Sequence, residues 1–440
     1  MIMGISRVCR RKALLSAVSL AMVVGISSGI QASTVTVIGT GGGPGQNGSV
    51  ANALAHSGSS TDADILATAA GGKGGSGNAA TPDGGAGGAA NASAYTGTGA
   101  PALIASSDVV VSAVAVGGQG GYGDAAAGGI GGNGGYASLG SVGGGSSLLG
   151  AVVSVTGSVQ GGNGFLAPSE KLLNAVGGYS KEGTLTLSQN ATGGSALSPG
   201  SSGGYASSVL NQNLAVFTNA PSSLTLNVSS TGGNGAVAAT GVTGGNGGGT
   251  LSSATGSLSG NGPVTINATA IGGNGGAADI AAGVSAGQGG VAQLGQVGGQ
   301  SRTGAVTISG TVIGGNGGNG ISEQLNNAVA GQTAGALSLT HNATGGSALN
   351  PGGSGGYASS ILNKNLASLS NAPSSLTLNV SSTGGNGGVA ATFTNANGQI
   401  QKVVPGGNAI LSGKFTRVKH PCEFFQMRGP AVQRRLAMEG

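Results

Sequence analysis

Two stretches of this chain are nearly the same sequence: residues 185–240 and 337–392 align without gaps at an offset of 152, with most positions identical. Asn190-Ala-Thr-Gly-Gly-Ser-Ala-Leu returns as Asn342-Ala-Thr-Gly-Gly-Ser-Ala-Leu, and Asn219-Ala-Pro-Ser-Ser-Leu-Thr-Leu-Asn-Val returns from Asn371. The flanking stretch from Gly117 to Gly161 has a looser counterpart from Gly272 to Gly314. Self-similarity of this kind marks a stacked architecture, in which each unit buries its apolar side against the next. The period decides the class, because 97 glycines and 12 prolines in 440 residues would otherwise indicate low complexity or disorder.

A smaller unit is nested inside the large one. Glycine pairs beginning at Gly71, Gly117, Gly161, Gly193, Gly232, Gly272, Gly314, Gly345 and Gly384 recur at spacings between 30 and 46 residues. Each pair follows a short alternating segment such as Ser223-Leu-Thr-Leu-Asn-Val, Pro263-Val-Thr-Ile-Asn-Ala or Ala305-Val-Thr-Ile-Ser-Gly. Period-2 alternation places Val, Leu or Ile on one face and Thr, Asn or Ser on the other, as a half-buried strand requires. A second strand is announced by Tyr136, Tyr205 and Tyr357, each opening a Tyr-Ala-Ser segment after a glycine pair. A unit of about forty residues with two strands and two glycine-rich bends predicts one or two coils of a parallel β-solenoid. The repeated Gly-Gly-Asn-Gly at 161–164, 232–235, 272–275, 314–317 and 384–387 is expected at sharp corners of positive φ, with stacked asparagines forming ladders. The interior should be thin, so a single repeat should not fold alone.

The ends differ from this body. Residues 1–32 read as a secretory signal helix: Arg7, Arg10, Arg11 and Lys12 precede an uncharged run from Ala13 to Ile30, with Ala32 as the cleavage residue. The other reading is a membrane anchor, against which stand four serines and two glycines in that run. Net charge is +5, but the signal and the tail from Lys414 contribute four positive charges each, whereas residues 33–413 hold six basic and nine acidic residues. A body of net charge −3 gives no support to a nucleic-acid partner. The only cysteines are Cys9 and Cys422, so no disulfide framework exists in the repeats.

No constellation in the body predicts catalysis, a cofactor or a metal. His341 stands where the sister repeat carries Gln189, and His56 and His420 are isolated. Asp62 and Asp64 share a strand face by alternation but flank no aromatic sugar platform. Gly120-Gly-Tyr-Gly-Asp124 approaches a calcium-roll repeat once, without the recurring aspartates such a roll needs. Glycine runs here are followed by more Gly, Ser and Thr rather than by a helix, which removes a dinucleotide-binding reading. Asn-x-Ser/Thr sequons at Asn190, Asn227, Asn267, Asn342 and Asn379 read as strand composition.

The signal at 1–32, the strand–Gly-Gly-Asn-Gly-Gly rhythm and the near-exact long repeat resemble the glycine-rich β-helical passenger regions of Gram-negative autotransporter and haemagglutinin-like adhesins. The glycine runs are also similar in composition to the glycine-rich regions of mycobacterial PE-PGRS proteins. The first resemblance implies an exported, non-enzymatic structural or adhesive protein, secreted or at the cell surface, whose partner is a host surface, a matrix or a polysaccharide. It also implies a C-terminal membrane β-barrel, whereas the repeats run to Gly413 and 27 residues follow. Residues 414–440, with Pro421-Cys-Glu-Phe-Phe425, are expected to be a truncated or frameshifted end, the other reading being a basic–aromatic anchor. Two further functions stay open: a polysaccharide- or ice-binding solenoid using Thr/Ser rows, and a disordered glycine-rich surface chain.

Overall fold

The computed structural model describes residues 34–439, apart from 58–63, 97–104, 217–218, 280–282, 366–371, 389–390, 395–399, 404–408, 417–422 and 428–432. The signal sequence, Cys9, Asp62, His420 and Cys422 therefore lie outside the described residues.

The alternating segments form strands, and the strands stack in parallel into two faces. The first face is one eleven-stranded sheet made of β1 (Thr34–Ile38), β3 (Asp64–Ala70), β5 (Val109–Val116), β7 (Val152–Gln160), β10 (Thr184–Thr192), β12 (Ser223–Thr231), β14 (Val264–Ile271), β16 (Val306–Ile313), β19 (Ala336–Thr344), β21 (Ser375–Thr383) and β25 (Glu423–Met427), in that order. The second face is three shorter parallel sheets. They are β2 (Ala51–Ser57), β4 (Ala90–Thr96), β6 (Ala137–Ser146) and β9 (Val176–Ser180); then β8 (Glu170–Leu173), β11 (Ala206–Asn213), β13 (Thr250–Ser257), β15 (Ala292–Gln300) and β18 (Val329–Gln332); then β17 (Glu323–Asn326), β20 (Ala358–Asn365), β24 (Ala409–Thr416) and β26 (Gln433–Glu439). A small antiparallel pair, β22 (Ala391–Thr394) and β23 (Ile400–Val403), stands apart from both faces. This is the expected all-β parallel solenoid, with one coil per unit of about forty residues. Strand pairing continues beyond Gly413, through β25 on β21 and β26 on β24.

Each coil runs from a first-face strand through two glycine-rich arms to a second-face strand and back. The core lies between the faces. Leu185, Leu187, Leu224, Leu226, Ile266, Ile308 and Leu339 of the first face are fully buried. The second face answers with small residues: an added Cβ on Gly256 would lie 3.0 Å from both Leu224 Cδ2 and Leu226 Cδ1. In the first coils both faces are alanine-lined, through Ala53, Ala55, Ala67, Ala69, Ala92 and Ala94, so the interior there is thinner still.

The glycine arms correct the expectation about corners. None of the Gly-Gly-Asn-Gly glycines has positive φ; the described glycines that do are Gly45, Gly128, Gly150, Gly200, Gly241, Gly283 and Gly352. The arms instead bond with a period of three, that of a polyproline II-type extended helix. Gly232, Gly235 and Ala238 donate to the carbonyls of Ile271, Asn274 and Ala277 in the next coil at 2.9, 2.8 and 2.9 Å. The second position of each triplet bonds across to the other arm, as in Gly248 N to Gly233 O at 2.8 Å and Gly273 N to Gly248 O at 2.9 Å. The third position is served by asparagine: Asn274 N donates to Asn234 Oδ1 at 2.9 Å and Asn316 N to Asn274 Oδ1 at 3.0 Å. The anticipated asparagine ladder thus exists, running from side chain to backbone. Glycine is required because a Cβ on Gly233 would fall on the Gly194 carbonyl oxygen, and one on Gly273 on that of Gly233. A disordered glycine-rich chain would have none of this bonding.

Candidate functional site

Outward residues of the first face form straight rows. One row reads Ser154, Thr186, Thr225, Thr265, Thr307, Ser338 and Thr377. The next reads Thr156, Ser188, Asn227, Asn267, Ser309, Thr340 and Asn379, and a third Ser158, Asn190, Ser229, Thr269, Thr311, Asn342 and Ser381. No pairing from β7 to β21 in this sheet carries a register shift, although partners lie 32, 39, 40, 42, 31 and 39 residues apart in sequence. The spacing in sequence is uneven, yet the rows do not drift. The arms absorb the difference instead: 20 residues separate Ile271 from Ala292, but only 9 separate Ile313 from Glu323. The rows form a regular lattice of hydroxyls and amides, about 4.8 Å apart between coils and about 7 Å along each strand.

The sequon asparagines Asn190, Asn227, Asn267, Asn342 and Asn379 stand in these rows and bond within them. Asn267 Nδ2 donates to Asn227 Oδ1 at 2.9 Å, Ser229 Oγ to Asn190 Oδ1 at 2.7 Å, and Ser381 Oγ to Asn342 Oδ1 at 2.9 Å. Asn379 Nδ2 donates to Thr340 Oγ1 at 3.4 Å.

The second face carries two breaks that sequence reading missed. In a regular coil the first N–H of the second-face strand donates to the residue before the next coil's strand, as Ala90 N does to Tyr136 O at 2.9 Å and Thr250 N to Val291 O at 2.8 Å. At Ala137 and Ala292 a side chain takes that role: Glu170 Oε1 accepts from Ala137 N at 3.0 Å, and Glu323 Oε1 from Ala292 N at 2.8 Å. The carboxylate wedges the coils apart there. β8 pairs with β11 and not with β6, and β17 pairs with β20 and not with β15. Facing β-bulges lie at Gly140-Ser141 and Gly295-Gln296, where the register shifts. Asn174 and Asn327 then turn the chain at φ 48 and 52, each accepting a backbone N–H from the following coil. The result is two equivalent clefts, of about 1000 and 780 Å³. The signal was present as two recurring motifs, Glu-x-Leu-x-Asn-Ala-Val-x-Gly at 170–178 and 323–331, and Ala-x-Leu-Gly-x-Val-Gly-Gly at 137–144 and 292–299.

Both wedge carboxyls are buried, Glu170 being 3% and Glu323 2% exposed. Desolvation pushes each up from an ordinary 4.5 to about 7, opposed by the backbone hydrogen bond each accepts.

Other singled-out residues have structural surroundings. His341 Nδ1 lies 2.8 Å from Ser360 Oγ, which itself donates to the His341 carbonyl at 2.9 Å. Nδ1–H is therefore the donor in that pair and Nε2 the acceptor from Ala328 N at 3.3 Å, which describes a neutral ring. Gln189 plays the same part in the sister repeat, with Nε2 on Ser208 Oγ at 3.1 Å and Oε1 accepting from Ala175 N at 2.8 Å. Asp124 caps a single 3₁₀ turn at Ala125–Ala127, accepting from Ala126 N at 3.0 Å. Asp64 is an exposed residue at the start of β3, and His56 stacks on Tyr95. Among the described residues, no three His, Cys, Asp or Glu side chains group as metal ligands, and no helix is long and apolar enough to cross a membrane.

These features define a parallel β-solenoid with a polar face in regular register and two clefts. No protein-family model, no curated protein and no solved structure matches the chain.

Proposed function

We propose that this is an exported, non-catalytic structural or adhesive protein of the cell surface or its surroundings, a passenger-like solenoid that meets an ordered polymer through its regular polar face. The observation that carries this reading is the unbroken register of Thr, Ser and Asn rows over seven coils. A repeating hydroxylated surface, such as a matrix or a polysaccharide, presents polar groups at regular intervals, and a rigid lattice meets many of them at once without ordering cost. The charge-poor body agrees with a contact made by hydroxyls and amides rather than by steering. The N-terminal signal supplies the export half of the proposal.

The test is cell fractionation of the full chain, followed by adhesion of the purified protein to matrix and insoluble polysaccharide. Surface recovery and binding that falls at least tenfold in the Thr225→Lys/Thr265→Lys double variant, with unchanged circular dichroism, are expected. Retention in the cytoplasm, or binding indifferent to the double variant, would overturn the proposal. The threonine row from Thr186 to Thr307 supports one second reading, ice binding, for which the same double variant should abolish thermal hysteresis.

A further inference from the structure

The first cleft holds a feature the second lacks. Along the outward side of the second face, pairing register places His56, Tyr95, Gly143 and Gly177 in one column across four coils. The His56 and Tyr95 rings stack, with centroids 5.8 Å apart and planes 15° from parallel. The stack stops there, because the next two coils present no side chain. Among the described residues, two coil spacings beside Tyr95, roughly 9–10 Å, therefore carry no side chain in this column.

These two glycines are unlike those of the interior. A Cβ on Gly178, one residue along, would lie 2.8 Å from Leu185 Cδ1, and one on Gly144 would lie 3.0 Å from Val111 Cγ2. On Gly177 a Cβ would meet nothing within 4 Å, and on Gly143 only the Gly177 carbonyl at 3.5 Å. Neither has positive φ. Backbone conformation and packing do not require glycine at either place; its effect is an open floor between coils. Tyr179 stands two residues beyond Gly177 on the same side, its hydroxyl donating to Asn219 O at 3.1 Å. The wedge at Glu170 opens the far wall, which Asn174 and Lys171 line; among the described residues Lys171 is the one charged side chain lining this cleft of about 1000 Å³, and its ammonium lies 5.9 Å from the centroid of the Tyr205 ring.

We infer that the slot between Tyr95 and Tyr179 binds a pyranose ring of an acidic, uronate-bearing polysaccharide. A pyranose has an apolar face of C–H groups, which stacks on an aromatic ring, and a hydroxyl rim, which suits Ser138, Ser141 and Asn174 around the slot. Lys171, on leaving the Tyr205 ring, supplies the complement to a carboxylate, and among the described residues that line the cleft none is acidic. The second cleft is an internal control. Its corresponding column is Thr255, Gly298 and Ala330, with no ring, and Gln324 stands where the first cleft has Lys171. The inference deepens the adhesive reading by naming a ligand class, but rests on different residues from the regular polar face.

The experiment is titration of the full mature chain with soluble oligogalacturonate and, separately, with neutral dextran oligomers. Expected results are saturable binding of the acidic oligomer, at least a tenfold loss in Tyr95→Ala and in Gly177→Leu, and loss of the acidic preference in Lys171→Gln. Gly177→Leu fills open space without strain, so its circular dichroism and melting should match the parent. Undiminished binding in Gly177→Leu, equal affinity for dextran, or no binding by the parent would overturn the inference. The Thr225→Lys/Thr265→Lys variant should keep this binding. Its loss of matrix adhesion therefore reports on the regular polar face alone.

Discussion

At the scale of single residues, the polar groups inside the core are the informative ones. Gln189 and His341 occupy equivalent places, and each gives one donor to a serine hydroxyl and one acceptor to a backbone N–H. Exchanging them, as Gln189→His or His341→Gln, should change stability by less than about 1.5 kcal/mol, as a volume-conserving swap does. Gln189→Leu strands buried partners instead and should cost about 1–3 kcal/mol for each group left unsatisfied, read by chemical denaturation. The wedge carboxyls make a second prediction. Their folded values of about 7 lie above the ordinary 4.5, so between those pH values the folded chain keeps protons that the unfolded chain has released. The contribution of these two carboxyls to stability is therefore greatest below about pH 4.5, declines as pH rises through 7, and levels off above it. Melting curves from pH 4 to 9 should show that decline, and the double variant Glu170→Gln/Glu323→Gln, which keeps both acceptors, should remove it.

At the scale of elements, the strands were legible and the arms were not. Each of the nine glycine pairs read from sequence directly follows a first-face strand, and Tyr136, Tyr205 and Tyr357 directly precede second-face strands. Alternation sufficed because one side of each strand is buried, which fixes register. The glycines were misassigned because tight corners and close backbone packing both demand glycine. Only the period separates them: Gly71-Gly-Lys-Gly-Gly-Ser and Gly117-Gly-Gln-Gly-Gly-Tyr repeat every three residues, as extended arms do and corners do not. The two roles make different predictions for substitution. Gly273→Ala puts a methyl group onto a carbonyl and should destabilise by about 1–3 kcal/mol or more. Gly260→Ala meets nothing within 4 Å and should be near neutral in the same thermal assay.

At the scale of the whole molecule, unequal coil lengths coexist with a regular face because excess chain leaves through the arms. That outcome was hidden in the sequence, where spacings between 30 and 46 residues suggest a drifting surface. The clefts were hidden for a different reason. They depend on a glutamate replacing one backbone acceptor, and both copies of each motif lie outside the near-identical blocks at 185–240 and 337–392. Since each coil bonds only to its neighbours through both sheets and arms, the array should unfold as a cooperative stack. The most direct test of this architecture is native-state amide hydrogen exchange resolved along the coils from Thr184 to Thr344. The arm amides of Gly233, Gly248, Gly273 and Gly290 should be protected to the same degree as those of β12 and β14. Exchange of those glycine amides at the rate of an unstructured chain, beside protected strands, would contradict it.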